Sequence, residues 1–376
     1  MKKDVSMNPK LFISSLLEPV DIRINGSRPW DIQVHNEDLY ARVVKQGTLG
    51  AGESYMDGWW DCEALDVMFC KAIRGNLEER FKNNLPNYLL ILVSTLFNMQ
   101  SVGRASIVAE KHYNWGNDMF SAMLGPSMNY SCGYWKNADN LDQAQYDKME
   151  LICRKLQLQE GMTVLDIGCG WGALARYMSE KYKVKATGIS VSSEQIAYAK
   201  EHDPGNTVNF LLEDYRSLTG HFDRIVSVGM FEHVGRKNYA VFMETTKRLL
   251  APDGLFLLHT IGSPIQKAGC DAWIAKYIFP NGVLPSMITM AKAITGNYVM
   301  EDWHNFGADY DKTLMAWYAN FEKGRAEGKF SCTERARRMF NYYLLMCAAV
   351  FRARDINLWQ IVLSPRGVDG GYASIR

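Results

Sequence analysis

One short segment constrains this chain more than any other: Asp166-Ile167-Gly168-Cys169-Gly170-Trp171-Gly172. It follows the apolar run Thr163-Val164-Leu165 and opens an amphipathic stretch from Trp171 to Lys181. Glycines at alternate positions let the backbone turn tightly and approach a ligand closely. A helix starting there aims free N–H groups and the positive end of its dipole at the same place. The segment therefore predicts a strand, a tight turn and a helix, with a ligand at the carboxyl end of the strand. An ordinary turn between strand and helix is the plain alternative.

The chain after residue 110 repeats this alternation. Apolar runs recur at Val184–Ile189, Val208–Leu212, Arg224–Val228, Leu255–His259 and Leu358–Leu363. They are short and aliphatic, and most are bounded by Gly, Asp or Pro, as strands buried on both faces of a parallel sheet are. Helical patterns such as Ser193–Glu201 lie between them. The fold class predicted is α/β, a doubly wound, Rossmann-like domain. The turn has the spacing G-x-G-x-G, with an acid two positions ahead of the first glycine. That fits the methyltransferase form of the turn better than the dinucleotide form. Residues 1–110 show short helical patterns and a hairpin or loop around Ile24-Asn25-Gly26-Ser27. They predict a smaller, mainly helical N-terminal domain ahead of a catalytic domain over 111–376.

Composition narrows the function classes. With 376 residues the chain is long enough for two domains, and a net charge of +1 gives no reason to expect a nucleic-acid partner. The 8 Cys are scattered, without Cys-x-x-Cys or zinc-ligand spacing, so no metal site is expected. Reduced thiols point to a cytoplasmic protein. The N-terminal residues lack a sustained apolar core and a small-residue cleavage site, so no signal peptide is read there. The greasiest stretch, Tyr88–Phe97, is half of the ~20 residues a membrane crossing needs. The chain can touch a bilayer without spanning it. Aromatic residues make up 12% and Met numbers 19, which serves core packing or a lining for greasy chains.

Taken together, several segments closely resemble the cyclopropane-fatty-acyl-phospholipid synthases over nearly the whole length. In the front part they are Gly50-Ala51-Gly52-Glu53-Ser54-Tyr55-Met56-Asp57-Gly58-Trp59-Trp60. In the body they are His112-Tyr113, Tyr130-Ser131-Cys132, Val164–Gly172, Val228–Gly235 and Leu258–Gly262. Tyr277–Gly282, Glu301–Gly307 and Phe351–Asp355 complete the set. The resemblance implies a class I methyltransferase domain that uses S-adenosylmethionine to build cyclopropane rings on unsaturated acyl chains of membrane phospholipids. It also implies a homodimer and transient, peripheral contact with the inner membrane surface.

The same resemblance assigns the site. Asp166, Gly168 and Gly170 would serve the cofactor. The second strand ends Gly188-Ile189-Ser190 and lacks the usual ribose-binding acid. The family uses a hydroxyl and an amide there, which map to Ser190 and Gln195. A helix N-cap is an equal reading of Ser190. Asp214, with Tyr215 beside it, would edge the adenine, and Tyr130 and Ser131 would meet the methionine end. The family also places a bicarbonate ion as base. Its ligands would be the side chains of Glu232, His259 and Tyr310, with backbone donors from Cys132 and Ile261. His233 is expected to point away, and Cys347 to be buried packing, because sulfonium methyl transfer gives a nucleophilic thiol no task. Lys71, Arg74, Arg80, Lys82, Arg335 and Arg338 could meet anionic head groups, or simply form a solvated face. Two rivals remain: methylation of an acyl chain or a small amine without ring closure, and a lipid-binding regulatory module with a vestigial cofactor site.

Overall fold

Two sheets organise the computed structural model, which describes residues 8–83, 116–266 and 269–376. Tyr88–Phe97, His112-Tyr113 and the division expected near residue 110 lie outside the described residues. A short antiparallel pair joins β1 (Gln33–Val34) to β2 (Trp60–Asp61). The large sheet contains β3 (Thr163–Ile167), β4 (Lys185–Ser190), β5 (Val208–Leu212), β6 (Phe222–Val228), β7 (Leu250–Gly262), β8 (Val299–Asn305) and β9 (Asn357–Ser364). Its 7 strands run in the order β5-β4-β3-β6-β7-β9-β8. Pairing is parallel from β5 to β7. Chain order reverses beside β3, so the carboxyl ends of β3, β4 and β6 open a crevice there, where open α/β sheets bind ligands.

Strand β9 departs from the parallel sheet expected. It inserts antiparallel between β7 and β8. Its residues Leu358–Leu363 are buried on both faces, and a continuous apolar run does not report direction. Strand β8 is absent from the sequence reading altogether. Its segment, Val-Met-Glu-Asp-Trp-His-Asn, forms a sheet edge with Val299 and Met300 exposed and a register shift between Met300 and Asp302. Charges and a bulge blunt such an edge, and they also erase the alternation that marks a strand.

The described helices are α1 (Pro9–Leu17), α2 (Asp38–Gln46), α3 (Thr48–Met56), α4 (Leu65–Arg74), α5 (Leu77–Asn83), α6 (Asn117–Leu124) and α7 (Leu141–Lys155). They continue with α8 (Ala173–Tyr182), α9 (Ser193–Glu201), α10 (Tyr239–Leu249), α11 (Ala272–Tyr277), α12 (Met287–Ile294), α13 (Ala308–Ala326) and α14 (Glu334–Arg352). Ile24-Asn25-Gly26-Ser27 is a loop, with Asn25 left-handed at φ 51° and its side chain accepting from the Val34 N–H.

The N-terminal helices do not carry a core of their own. Leu17, Leu39, Met56, Leu65 and Met68 join one apolar cluster with Trp273, Trp317, Tyr342 and Phe351 from the later helices. Burying each such side chain contributes roughly 1.5–3 kcal/mol. Helix α3 approaches α11 so closely that a Cβ on Gly52 would lie 2.4 Å from the Trp273 ring. Ion pairs cross the same boundary. Arg338 donates to the Tyr55 and Trp60 carbonyls and pairs with Asp61, Arg335 pairs with Asp57, and Arg352 bridges Asp66 and Asp311. Lys71 pairs with Asp21, and Arg74 donates to the Arg352 carbonyl. Of the cations expected at a head-group surface, Lys71, Arg74, Arg335 and Arg338 are thus engaged within the protein.

Candidate active site

At the carboxyl ends of β3, β4 and β6 a cavity opens, with about 1460 Å³ of empty space including its mouth. Gly168 and Gly170 form its floor at φ 83° and 54°, a conformation that suits glycine. A Cβ on Gly168 would lie 2.8 Å from Met230, whereas nothing crowds Gly170. Asp166, Ser190, Gln195, Asp214, Tyr215, Tyr130 and Ser131 line the same cavity.

Ser190 is not the helix N-cap. Ser192 caps α9, accepting from the Gln195 N–H at 3.3 Å. Ser190 Oγ instead donates to Gln195 Oε1 at 2.9 Å and accepts from the Ser192 N–H. A hydroxyl and an amide are thereby locked together on the cavity wall. Asp214 is gripped by Arg216 through its backbone N–H and guanidinium, the guanidinium contacts measuring 2.8 and 2.6 Å. Tyr215 packs edge-on against Phe242.

Sequence reasoning missed the support beneath Ser131. Gln145 Nε2 donates to the Ser131 carbonyl at 2.9 Å. Lys148 Nζ donates to Ser131 Oγ at 2.8 Å and to Gln145 Oε1 at 2.7 Å. Lys148 lies only 1% exposed on the cavity wall, and burial pushes its pKa down to about 7. Asp166 shares this dry setting; burial raises its carboxyl to about 7, against the pull of Lys148.

A second cluster lies beside the cavity, at the ends of β6 and β7. Glu232 follows β6 on a single 3₁₀ turn, Phe231–His233. Its Oε1 accepts from the Ile261 N–H at 2.7 Å, and burial raises its carboxyl to about 7. The expected Ile261 donor is therefore already used by Glu232. His259 lies in β7, where Gln360 Nε2 meets its Nδ1 at 3.3 Å. Burial and nearby positive charge hold the imidazole far below its ordinary pKa, so it is neutral. Glu232 Oε2 and His259 Nε2 are both buried without a hydrogen-bond partner among the described residues. Tyr310 stacks on Phe351 at 4.4 Å and lies within electrostatic range of Cys132 and Glu232. Cys132 is fully buried, its thiol pushed well up and directed to the Gly133 carbonyl.

His233 differs from expectation: it lines the cofactor cavity, and burial lowers its pKa to about 4. Cys347 packs at the margin of the large apolar cluster with its thiol pushed up by burial, as a packing residue would be.

The chain has known relatives. The family model for mycolic acid cyclopropane synthetase matches residues 100–361. The chain belongs to the mycolic acid cyclopropane synthetase family. Cyclopropane-fatty-acyl-phospholipid synthase of Escherichia coli strain K12 is 55% identical over 363 residues, covering 96% of this chain and 95% of that protein. A crystal structure of the mycolic acid cyclopropane synthase CmaA1 complexed with SAH and CTAB is similar at 34% identity and TM-score 0.62, covering 69% of this chain and 97% of that one. The cyclopropane synthase MmaA2 from Mycobacterium tuberculosis is similar at 32% identity and TM-score 0.63, with 69% and 96% covered. As a member of this family the chain is an S-adenosylmethionine-dependent enzyme. Its glycine floor and its paired hydroxyl and amide fit that ligand. Among the described residues no helix is long and apolar enough to cross a membrane.

Proposed function

We propose that this enzyme transfers a methylene group from S-adenosylmethionine to the cis double bond of phospholipid acyl chains, closing a cyclopropane ring. In this reading bicarbonate held by Glu232, His259 and Tyr310 is the base. The identity to the Escherichia coli synthase supports the reaction. One observation carries the base: Glu232 Oε2 and His259 Nε2 are buried and unpartnered among the described residues. A buried polar atom left unpaired costs about 1–3 kcal/mol, so these two atoms support the reading of a ligand position. A neutral imidazole N–H and a carboxylate suit a small ion with both acceptor oxygens and a hydroxyl donor.

The chain's own residues account for the rest. An alkene has no proton for a base to remove beforehand, so the first step depends on placement. Gly168, Gly170 and the Ser190–Gln195 pair would fix the cofactor, and Tyr130 and Ser131 its reacting end. Placement of this kind can supply roughly 7–11 kcal/mol. Methyl transfer leaves positive charge on the acyl chain. Tyr130, Trp317 and Tyr310 make an aromatic wall there, with centroids 5.3 Å apart for Tyr130–Trp317 and 6.0 Å for Tyr310–Trp317. Each face would stabilise a cation by about 0.5–2 kcal/mol. The new methyl group must then lose a proton, and bicarbonate would accept it. Glu232 would receive the bicarbonate hydroxyl while His259 and Tyr310 donate to its oxygens.

Bilayer contact belongs to the same reading. Ile265, Met287 and Ile288 are exposed, and the Ser263–Ser286 bridge ties their segments together just past β7. This greasy corner beside the reaction centre supports membrane docking better than the basic residues do, since Lys71, Arg335 and Arg338 are ion-paired and Arg74 donates to a backbone carbonyl.

The deciding experiment removes dissolved carbonate and follows phospholipid acyl chains by mass spectrometry. Wild-type product should gain one methylene, resist mild hydrogenation, and form more slowly until carbonate is restored. Glu232→Gln should lose roughly 10²–10³ in rate and respond weakly to carbonate. Product that hydrogenates readily would indicate methylation without ring closure. Indifference to carbonate would remove bicarbonate from the reading.

A further inference from the structure

The buried face of β9 carries a polar side chain to which the reaction, as described so far, gives no task. Gln360 lies directly opposite His259 in the antiparallel pairing of β9 with β7. Both residues are sealed from solvent, at 0% and 1% exposure. Gln360 Nε2 meets His259 Nδ1 at 3.3 Å, while Gln360 Oε1 has no partner among the described residues. Leucine would fill such a position without leaving an amide oxygen unpaired, so the amide is retained at a cost.

We infer that Gln360 is a positioning residue that fixes the tautomer of His259. An amide N–H donated to Nδ1 requires a lone pair there, so the imidazole proton must sit on Nε2. Nε2 is the ring nitrogen left without a partner among the described residues. The edge contact of Phe306 with the ring, centroids 5.7 Å apart, limits rotation out of this orientation. Lys148 and Lys155 from α7 and His304 from β8 lie within electrostatic range of the imidazole, and each disfavours its protonation. The ring thus stays neutral as well as oriented, and the Nε2 N–H is the one donor it would offer to the proposed anion. This inference rests on the bicarbonate reading for its purpose but not for its geometry.

Nitrogen-15 NMR of imidazole-labelled wild-type enzyme tests it directly, without substrate. The two ring nitrogens of His259, assigned with a His259→Gln control, should report a neutral ring protonated on Nε2. A proton on Nδ1 would overturn the inference. Gln360→Glu keeps the shape but presents an acceptor, so the proton should move to Nδ1 and turnover should fall about 100-fold. Gln360→Met keeps the bulk and offers neither group; it should give mixed tautomers and a loss of about tenfold. In both variants the affinity for S-adenosylhomocysteine should change less than twofold. Full turnover by a Gln360→Glu enzyme with the proton on Nδ1 would also overturn it. Failure of bicarbonate alone would show differently: the tautomer would be as stated while wild-type turnover ignored carbonate.

Discussion

Glu232 sits where a carboxyl is expensive, and its burial has a measurable consequence. The folded protein holds the Glu232 proton up to about pH 7, while the unfolded chain releases it near the ordinary value of 4.5. Between these values the folded state binds more protons, so this group's contribution to stability falls as pH rises and is flat above about 7. Glu232→Gln keeps an acceptor for the Ile261 N–H and has no proton to lose. Its stability relative to wild type should therefore be near zero at pH 4.5 and grow to about 2–4 kcal/mol in its favour by pH 8. Thermal melts at the two pH values check this, and an equal difference at both would contradict it. A gain in stability with a loss of turnover is what a residue kept for function shows. The place of Glu232 just past β6 was legible in the sequence, whereas β7 runs on past His259 to Gly262, so the strand end expected at that histidine is not there. Lys148 and Gln145 were not legible. On an amphipathic helix such as α7 they read as solvent-facing, and only packing shows that both turn inward to hold Ser131. Nor could a sequence show that the Ile261 N–H is spent on Glu232, because a backbone donor has no letter.

Among the elements, the β3–α8 turn is the most demanding. Gly168 combines a left-handed φ of 83° with Met230 at 2.8 Å from where a Cβ would go. Gly168→Val would strain the backbone by roughly 1–2 kcal/mol and push Met230 into the cavity. Affinity for S-adenosylhomocysteine by calorimetry should drop about tenfold or more, with the circular dichroism spectrum retained. Unchanged affinity would separate this turn from the cofactor. The turn and the buried strands were readable because local rules wrote them: glycine for positive φ and short continuous apolar runs for strands covered on both faces, while the cap of α9 fell to Ser192 and not to the Ser190 that the sequence offered. The direction of β9 and the existence of β8 were not, because both depend on which neighbour pairs with a strand. An apolar strand looks alike in either direction, and an acidic edge strand looks like a loop.

At the scale of the molecule, the helices before residue 84 and those after residue 271 share one core. Removing the first would uncover apolar surface on the second, so surface substitutions test membrane docking better than truncation does. Met287→Asp with Ile288→Asp should lower binding to phospholipid vesicles at least tenfold, since burying each side chain is worth roughly 1.5–3 kcal/mol. Turnover of detergent-dispersed phospholipid should be kept, and unchanged sedimentation with vesicles would clear this corner of a docking role. The insertion of β9 also sets the order in which the enzyme can be made. Strand β7 leaves the ribosome with its β6 partner already synthesised, but its other edge must wait for β9, about 100 residues later. At ~5–20 residues per second the nascent chain would hold the bare edge of Phe256–Gly262 for several seconds. That edge is greasy, extended and ready to pair with a neighbour. Translation thus carries its own safeguard and its own hazard. A chain made only as far as β7 has no Gln360 beside His259, and it presents a sticky strand that a chaperone has reason to cover.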